Sequence, residues 1–168
     1  MYTVILFMAA LAAGAIRILI KRPKGKAELT GIFLLYMIFF SIGLGGLYAF
    51  MGHAFFANEV AKEIGWPTGS PFQFEVAISN LAFGILGVLC VKIRGNFWAA
   101  VVTGYCIFLW GAAYGHFVQM QKGDTSPYNT GIFLYAGDIF IPLVIFMLMI
   151  IYYRLSAPSK ELNEKPRN

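Results

Sequence analysis

Five apolar runs, each long enough to cross a bilayer as a helix, constrain this chain more than any other feature of its 168 residues. They extend from Tyr2 to about Ile20, Thr30 to about Ala57, Phe74 to about Val91, Asn96 to about Met120, and Gly131 to Tyr153. A helix rises about 1.5 Å per residue and the hydrocarbon core is about 30 Å thick, so about 20 apolar residues suffice. Backbone polar groups in hydrocarbon must be satisfied within their own segment, which selects helix for runs of this length. The expected fold is therefore all-α, with five transmembrane helices. Four form the core and the N-terminal one packs outside them. Residues 1–154 are expected to form a single transmembrane domain and residues 155–168 a short cytoplasmic tail containing Pro158, Lys160, Glu161, Glu164, Lys165 and Arg167.

Charge is scarce: 12% of the residues are charged and 59% are hydrophobic. A soluble domain carries about twice that share of charge, so a water-soluble fold is excluded. The net charge of +5 does not point to nucleic acid, because the basic residues sit at the ends of apolar runs, where lipid headgroups lie. Cys90 and Cys106 fall inside apolar runs and form neither a disulfide framework nor a zinc motif.

Topology follows from the distribution of Lys and Arg. In a five-helix arrangement Lys21, Arg22, Lys24, Lys26, Lys92, Arg94, Arg154, Lys160, Lys165 and Arg167 share one side, and Lys62 and Lys122 take the other. The positive-inside rule then predicts an external N-terminus and a cytoplasmic C-terminus, in a multi-pass protein of the cell inner membrane or plasma membrane. Positive charge follows the first run instead of preceding it, the reverse of a cleavable signal peptide, so that helix is expected to be retained. Trp98, Tyr152 and Tyr153 fall at the inner boundary, where amphipathic rings are favoured. Two external loops remain. Asn58–Gln73, rich in Gly and Pro, cannot be one continuous helix and is predicted to fold back over the helix ends, because its Ile64, Trp66 and Phe72 avoid water. Gln121–Thr130 is polar.

The two halves of the chain resemble each other. Ala49-Phe50-Met51-Gly52-His53 is matched by Ala112-Ala113-Tyr114-Gly115-His116, and Ser70-Pro71-Phe72-Gln73 by Ser126-Pro127-Tyr128-Asn129. Two parallel hairpins about a rough two-fold axis are the expected consequence. Gly111 with Gly115, and Gly45 with Ala49, have the small-xxx-small spacing that lets membrane helices approach closely.

Ionisable residues within membrane segments are expensive and point to function. Here they include His53, Glu75, His116 and Asp138, with the amides Asn80 and Gln119 nearby in sequence. Counting helical rise from the basic ends puts His53 roughly 37 Å and His116 roughly 33 Å along their helices, near the external edge of the hydrocarbon. Glu75 starts its helix at the same level. Asp138 lies deeper, four residues before Pro142, which cannot donate a hydrogen bond to the Asp138 carbonyl.

The expected site is external-facing. His53, His116 and Glu75 are candidate ligands for a divalent metal, and Gln119, Asp138, Asn80 and Trp66 complete a site for a metal or a small ligand. Haem between the two histidines is a weaker fit, because such sites lie deeper in lipid. The same histidines also suit plain structural hydrogen bonding between helices. No nucleophile elbow, P-loop or dinucleotide fingerprint is present, so no catalytic residue is assigned and enzymatic activity is left open. The alternatives are a small transporter or proton-coupled carrier that uses Asp138, and an accessory subunit of a membrane complex. Expected partners are the bilayer and a second copy or a membrane-complex subunit, with no nucleic acid.

The run from Gly52-His53 through Ile64-Gly65-Trp66-Pro67-Thr68-Gly69-Ser70-Pro71-Phe72-Gln73-Phe74-Glu75, followed by Gly115-His116-Phe117-Val118-Gln119, resembles a family of small prokaryotic membrane proteins of unknown function. The likeness spans helices two to five and leaves helix one outside. It implies a polytopic prokaryotic membrane protein and assigns no activity.

Overall fold

The computed structural model describes residues 2–157, and these form helices, turns and loops with no strand among them. The helices are α1 (Tyr2–Lys21), α2 (Lys26–Phe55), α3 (Ala57–Ile64), α4 (Phe72–Leu89), α5 (Asn96–Gln121), α6 (Pro127–Thr130) and α7 (Phe133–Ser156). Of these, α1, α2, α4, α5 and α7 are long and apolar enough to cross a membrane. The predicted tail from Pro158 onward lies outside the described residues. One end of the bundle carries the basic turns before α2 and α5, and the other carries the loops that contain α3 and α6.

Helix α2 is central and packs against α1, α4 and α7. Its residues Leu34, Met37, Ile38 and Ile42 are fully buried against Val102 and Cys106 of α5 and Ile145 of α7. Helix α1 is peripheral and buries only Ala10 and Gly14.

The tightest contact joins α2 to α4. A Cβ on Gly46 would lie 2.8 Å from the Asn80 carbonyl oxygen and from Gly84 N, and one on Gly87 would lie 2.5 Å from Gly43 N. Lipid tails are as apolar as the side chains, so helices in a bilayer gain by close packing, and here backbone meets backbone. The glycines that do this are Gly43, Gly46, Gly84 and Gly87, not those with the expected spacing. Gly45 has only ordinary contacts, and a Cβ on Gly111 or Gly115 would meet nothing within 4 Å.

Two stretches wind as wide π-helical turns, Ile38–Leu44 in α2 and Phe133–Phe140 in α7. The second ends at Ile141, whose N–H bonds to the Ala136 carbonyl five residues back. Pro142 comes next and has no N–H, so the ladder cannot close normally there, and the wide turn absorbs the misfit. In the first π turn the Ser41 carbonyl accepts the Tyr105 hydroxyl at 3.4 Å.

The basic end is pinned by side chains. Trp98 Nε1 donates to the Cys90 carbonyl at 2.8 Å and the Tyr153 hydroxyl to the Gly95 carbonyl at 2.6 Å. Trp98 is only 1% exposed, so at this end it acts as a buried strut. Both cysteines are buried and free.

Asn58–Gln73 is not one continuous helix, as its Gly and Pro require, but its first half is helical. Residues 57–64 form the amphipathic helix α3, with Ala61 and Ile64 buried and Glu59, Lys62 and Glu63 exposed. Gly65, at φ 81°, ends it: Trp66 N–H bonds to the Ala61 carbonyl at 2.8 Å and Gly65 N–H to the Lys62 carbonyl at 3.3 Å. That pair of bonds is a Schellman cap, and the left-handed residue it needs is glycine. Gln73 Nε2 then donates to the Ala57 carbonyl at 2.6 Å, tying the end of the loop to its beginning. The loop does fold back over the helix ends, and its rigid part is helical.

Candidate functional site: a polar chamber under the loops

At the loop end the five long helices diverge around a cavity of about 470 Å³. His53, Trp66, Asn80, His116, Gln119 and Asp138 all line it. They come from different elements: α2, the loop after α3, α4, α5 and α7. Gly111, Ala112 and Gly115 keep the α5 wall low, which explains why their missing side chains face open space. A second cavity of about 480 Å³ adjoins it and shares Tyr2, Ala49, His53, Tyr128 and Phe133.

The structure does not bring Glu75 into the chamber. Helix α4 turns Gln73, Ala77 and Asn80 inward, and Glu75 falls on the exposed face between them. Among the described residues no three His, Cys, Asp or Glu side chains come together closely enough to hold a metal ion. The expected set of His53, His116 and Glu75 is therefore not assembled.

His116 is the best-ordered polar group in the chamber. Its Nδ1 lies 2.7 Å from Asn129 Oδ1, and its Nε2 lies 3.8 Å from Asp138 Oδ2. The amide oxygen only accepts, so Nδ1 carries a proton and Nε2 turns toward the carboxyl group. The two side chains are 10% and 18% exposed, so the pair is held largely out of solvent. A gap of 3.8 Å is too wide for a direct hydrogen bond and admits a polar atom beside the pair.

The second loop makes this possible. Ser126 precedes Pro127, α6 forms, and Asn129 is carried inward to full burial against His116. The Ser126 hydroxyl and its backbone N–H both donate to Asp124 Oδ1, and together they hold that carboxyl below its usual value. Gly65 sits directly on Asp124 and Ser126, locking the two loops together. Any side chain there collides with Asp124 and also strains a left-handed backbone. Gly65→Ala is expected to undock the loops, seen as faster proteolysis between residues 57 and 73; wild-type protection in that variant would refute the interlock.

Aromatic rings form the remaining wall. Tyr128 and Phe133 stack with centroids 4.2 Å apart, and Tyr2 lies 4.3 Å from Tyr48. Burial pushes the Tyr128 phenol up to about 12, so it is a hydrogen-bond donor throughout the physiological range. Sequence reasoning missed Tyr2, Thr3, Tyr128, Asn129 and Phe133. The Ser126-Pro127-Tyr128-Asn129 segment was visible as a turn, but nothing local shows that Asn129 is buried.

Several buried polar atoms have no hydrogen-bond partner among the described residues. Three of them, Thr3 Oγ1, His53 Nδ1 and Gln119 Oε1, belong to residues that line this one chamber.

Fold and site together define an all-helical protein with five helices apolar enough to span a membrane and a polar, aromatic-walled chamber beneath its loops. The chain belongs to the family of unknown function DUF6790, whose model matches residues 1–158. That match includes helix one, which the sequence resemblance left outside. No curated protein and no solved structure matches the chain.

Proposed function

We propose that this chain is a multi-pass membrane protein that binds a small, partly apolar organic ligand in the chamber lined by His53, His116 and Asp138. The observation that carries this reading is the set of three unpartnered buried polar atoms on the chamber residues Thr3, His53 and Gln119. Leaving such a group unsatisfied costs about 1–3 kcal/mol, so three on one cavity favour an occupant that both donates and accepts hydrogen bonds. The stacked rings of Tyr128 and Phe133 suit a flat ligand. Among the described residues no third metal-ligating side chain stands close to the pair, which favours an organic molecule over a metal ion.

The orientation proposed is an external N-terminus with the basic end in the cytoplasm, in an inner or plasma membrane. It is supported by Lys21, Arg22, Lys24, Lys26, Lys92, Arg94 and Arg154 at one end, against Lys62 and Lys122 at the other. The chamber then opens on the external side.

A carrier mechanism through Asp138 is less well supported. Below Asn80 the core is mostly apolar, with the backbone contact of α2 with α4 and the buried Ile42, Cys106 and Ile141, and its buried polar side chains include Ser41 and Tyr105.

The double variant Gly111→Leu/Gly115→Leu tests the reading, because it places two side chains in open chamber space without touching helix contacts. Wild-type protein purified in mild detergent is expected to carry a near-stoichiometric organic compound that the folded variant lacks. A wild-type chain that carries none, and that a membrane-lipid extract stabilises no more than the variant, would overturn it.

A further inference from the structure

A third cavity, of about 530 Å³, lies at the opposite, basic end between α1, α2, α5 and α7. Its rim carries Arg17, Lys21 and Arg94, and its deeper wall is apolar, with Ile32, Leu35 and Phe39 of α2. We infer that this cavity is a binding site for the headgroup of an anionic phospholipid from the leaflet at the basic end.

Charge is the first argument. Glu28 is the only acidic residue lining the cavity, and it pairs with Lys21 at 2.6 Å. Among the described residues neither Arg17 nor Arg94 has a carboxylate within 4 Å. Two guanidinium groups therefore face the cavity uncompensated.

Position is the second. Arg17 lies four residues before the end of α1, about 6 Å inside the helix, where an unpaired charge is costly and calls for a partner. The phosphate of a lipid sits at that depth, and a soluble anion must be drawn into it.

Geometry is the third. Arg94 lies over the Trp98 ring, its Cζ 5.6 Å from the centroid, and that ring is held by its bond to the Cys90 carbonyl. The guanidinium is thus positioned in advance, in a fork suited to phosphate oxygens. Gly31 allows the Tyr152 ring to close the side of the cavity, since a Cβ there would lie 2.8 Å from the ring. Acyl chains leaving the headgroup run along Ile32, Leu35 and Phe39. Basic pockets between membrane helices recognise anionic headgroups through this combination of charge and apolar wall.

Native mass spectrometry of the whole protein with added phosphatidylglycerol, phosphatidylcholine or soluble glycerol phosphate tests the inference. The expected result is preferential retention of phosphatidylglycerol, reduced about five-fold by Arg17→Gln or by Arg94→Gln, and unchanged by Lys24→Gln, whose residue does not line the cavity. Arg94→Gln can also loosen Trp98, so the loss in Arg17→Gln, which leaves that stack intact, is the decisive one. Retention that survives Arg17→Gln, or that falls equally in Lys24→Gln, overturns the site. Displacement of the lipid by glycerol phosphate at equal concentration makes it a soluble-anion site and overturns the lipid assignment.

Discussion

Gly87→Ala is expected to destabilise the bundle by about 3 kcal/mol, near the upper end of ordinary overpacking. Gly111→Ala is expected to be neutral or to stabilise it by up to about 1 kcal/mol, as replacing an exposed helical glycine normally does. Both glycines sit in long apolar helices, and no rule of local sequence separates them. The difference is what a methyl group would meet. At Gly87 it would lie 2.5 Å from Gly43 N and 2.7 Å from Gly43 Cα, backbone atoms of α2 that cannot rotate away. Relief requires the two helices to separate along the whole Gly43–Gly46 and Gly84–Gly87 seam, which also lifts Asn80 from its place in the chamber wall. At Gly111 there is open space. Thermal unfolding of the two variants in one detergent measures the contrast. Equal melting temperatures would mean that the α2–α4 seam is not as close as described.

His116→Ala is expected to cost about 3–5 kcal/mol and to abolish ligand binding. Removing the imidazole leaves the fully buried Asn129 Oδ1 without its donor and the mostly buried Asp138 carboxyl group without the side chain it faces. Either loss is a desolvation penalty with nothing in return. His116→Gln retains an amide donor for Asn129, so it is expected to recover part of the stability but not the binding that depends on the Nε2–Asp138 pair. Asp138→Asn is expected to be milder in stability, because a neutral amide tolerates the site, and to weaken binding. The order His116→Ala, His116→Gln, Asp138→Asn, from least to most stable, is the checkable outcome. A His116→Ala protein as stable as wild type would show that the imidazole is not part of a buried network.

Both experiments turn on features that are differently legible in the amino-acid order. The spans were plain, because apolar length alone dictates a helix in hydrocarbon, and the predicted runs agree with α1, α2, α4, α5 and α7 to within a few residues. The polar candidates were visible for the same reason: His53, Asn80, His116, Gln119 and Asp138 stand out against an apolar background. Glu75 was misread because depth along a helix says nothing about azimuth; it sits at the right level and on the wrong face. Gly111 and Gly115 were misread because four-residue spacing fits both a helix contact and an empty wall. The Gly and Pro residues of the first loop correctly excluded a continuous helix, but they say nothing of residues 57–64 before them, which wind as α3 up to Gly65.

The sequence by itself determined that the chain is all-helical, how many helices are long and apolar enough to span, and which of their ends are basic. These are properties of single segments, set by composition and by the cost of unpaired backbone in lipid. Only the tertiary structure decided which side chains share a cavity. Asn129 from a four-residue helix and Asp138 from a π turn meet His116, and Tyr2 and Thr3 from the first turn share the cavity with them, through helix rotation and loop docking. The cavity thus joins residues from opposite ends of the chain, and it depends on backbone approach at Gly46 and Gly87, where the absence of a side chain does the placing.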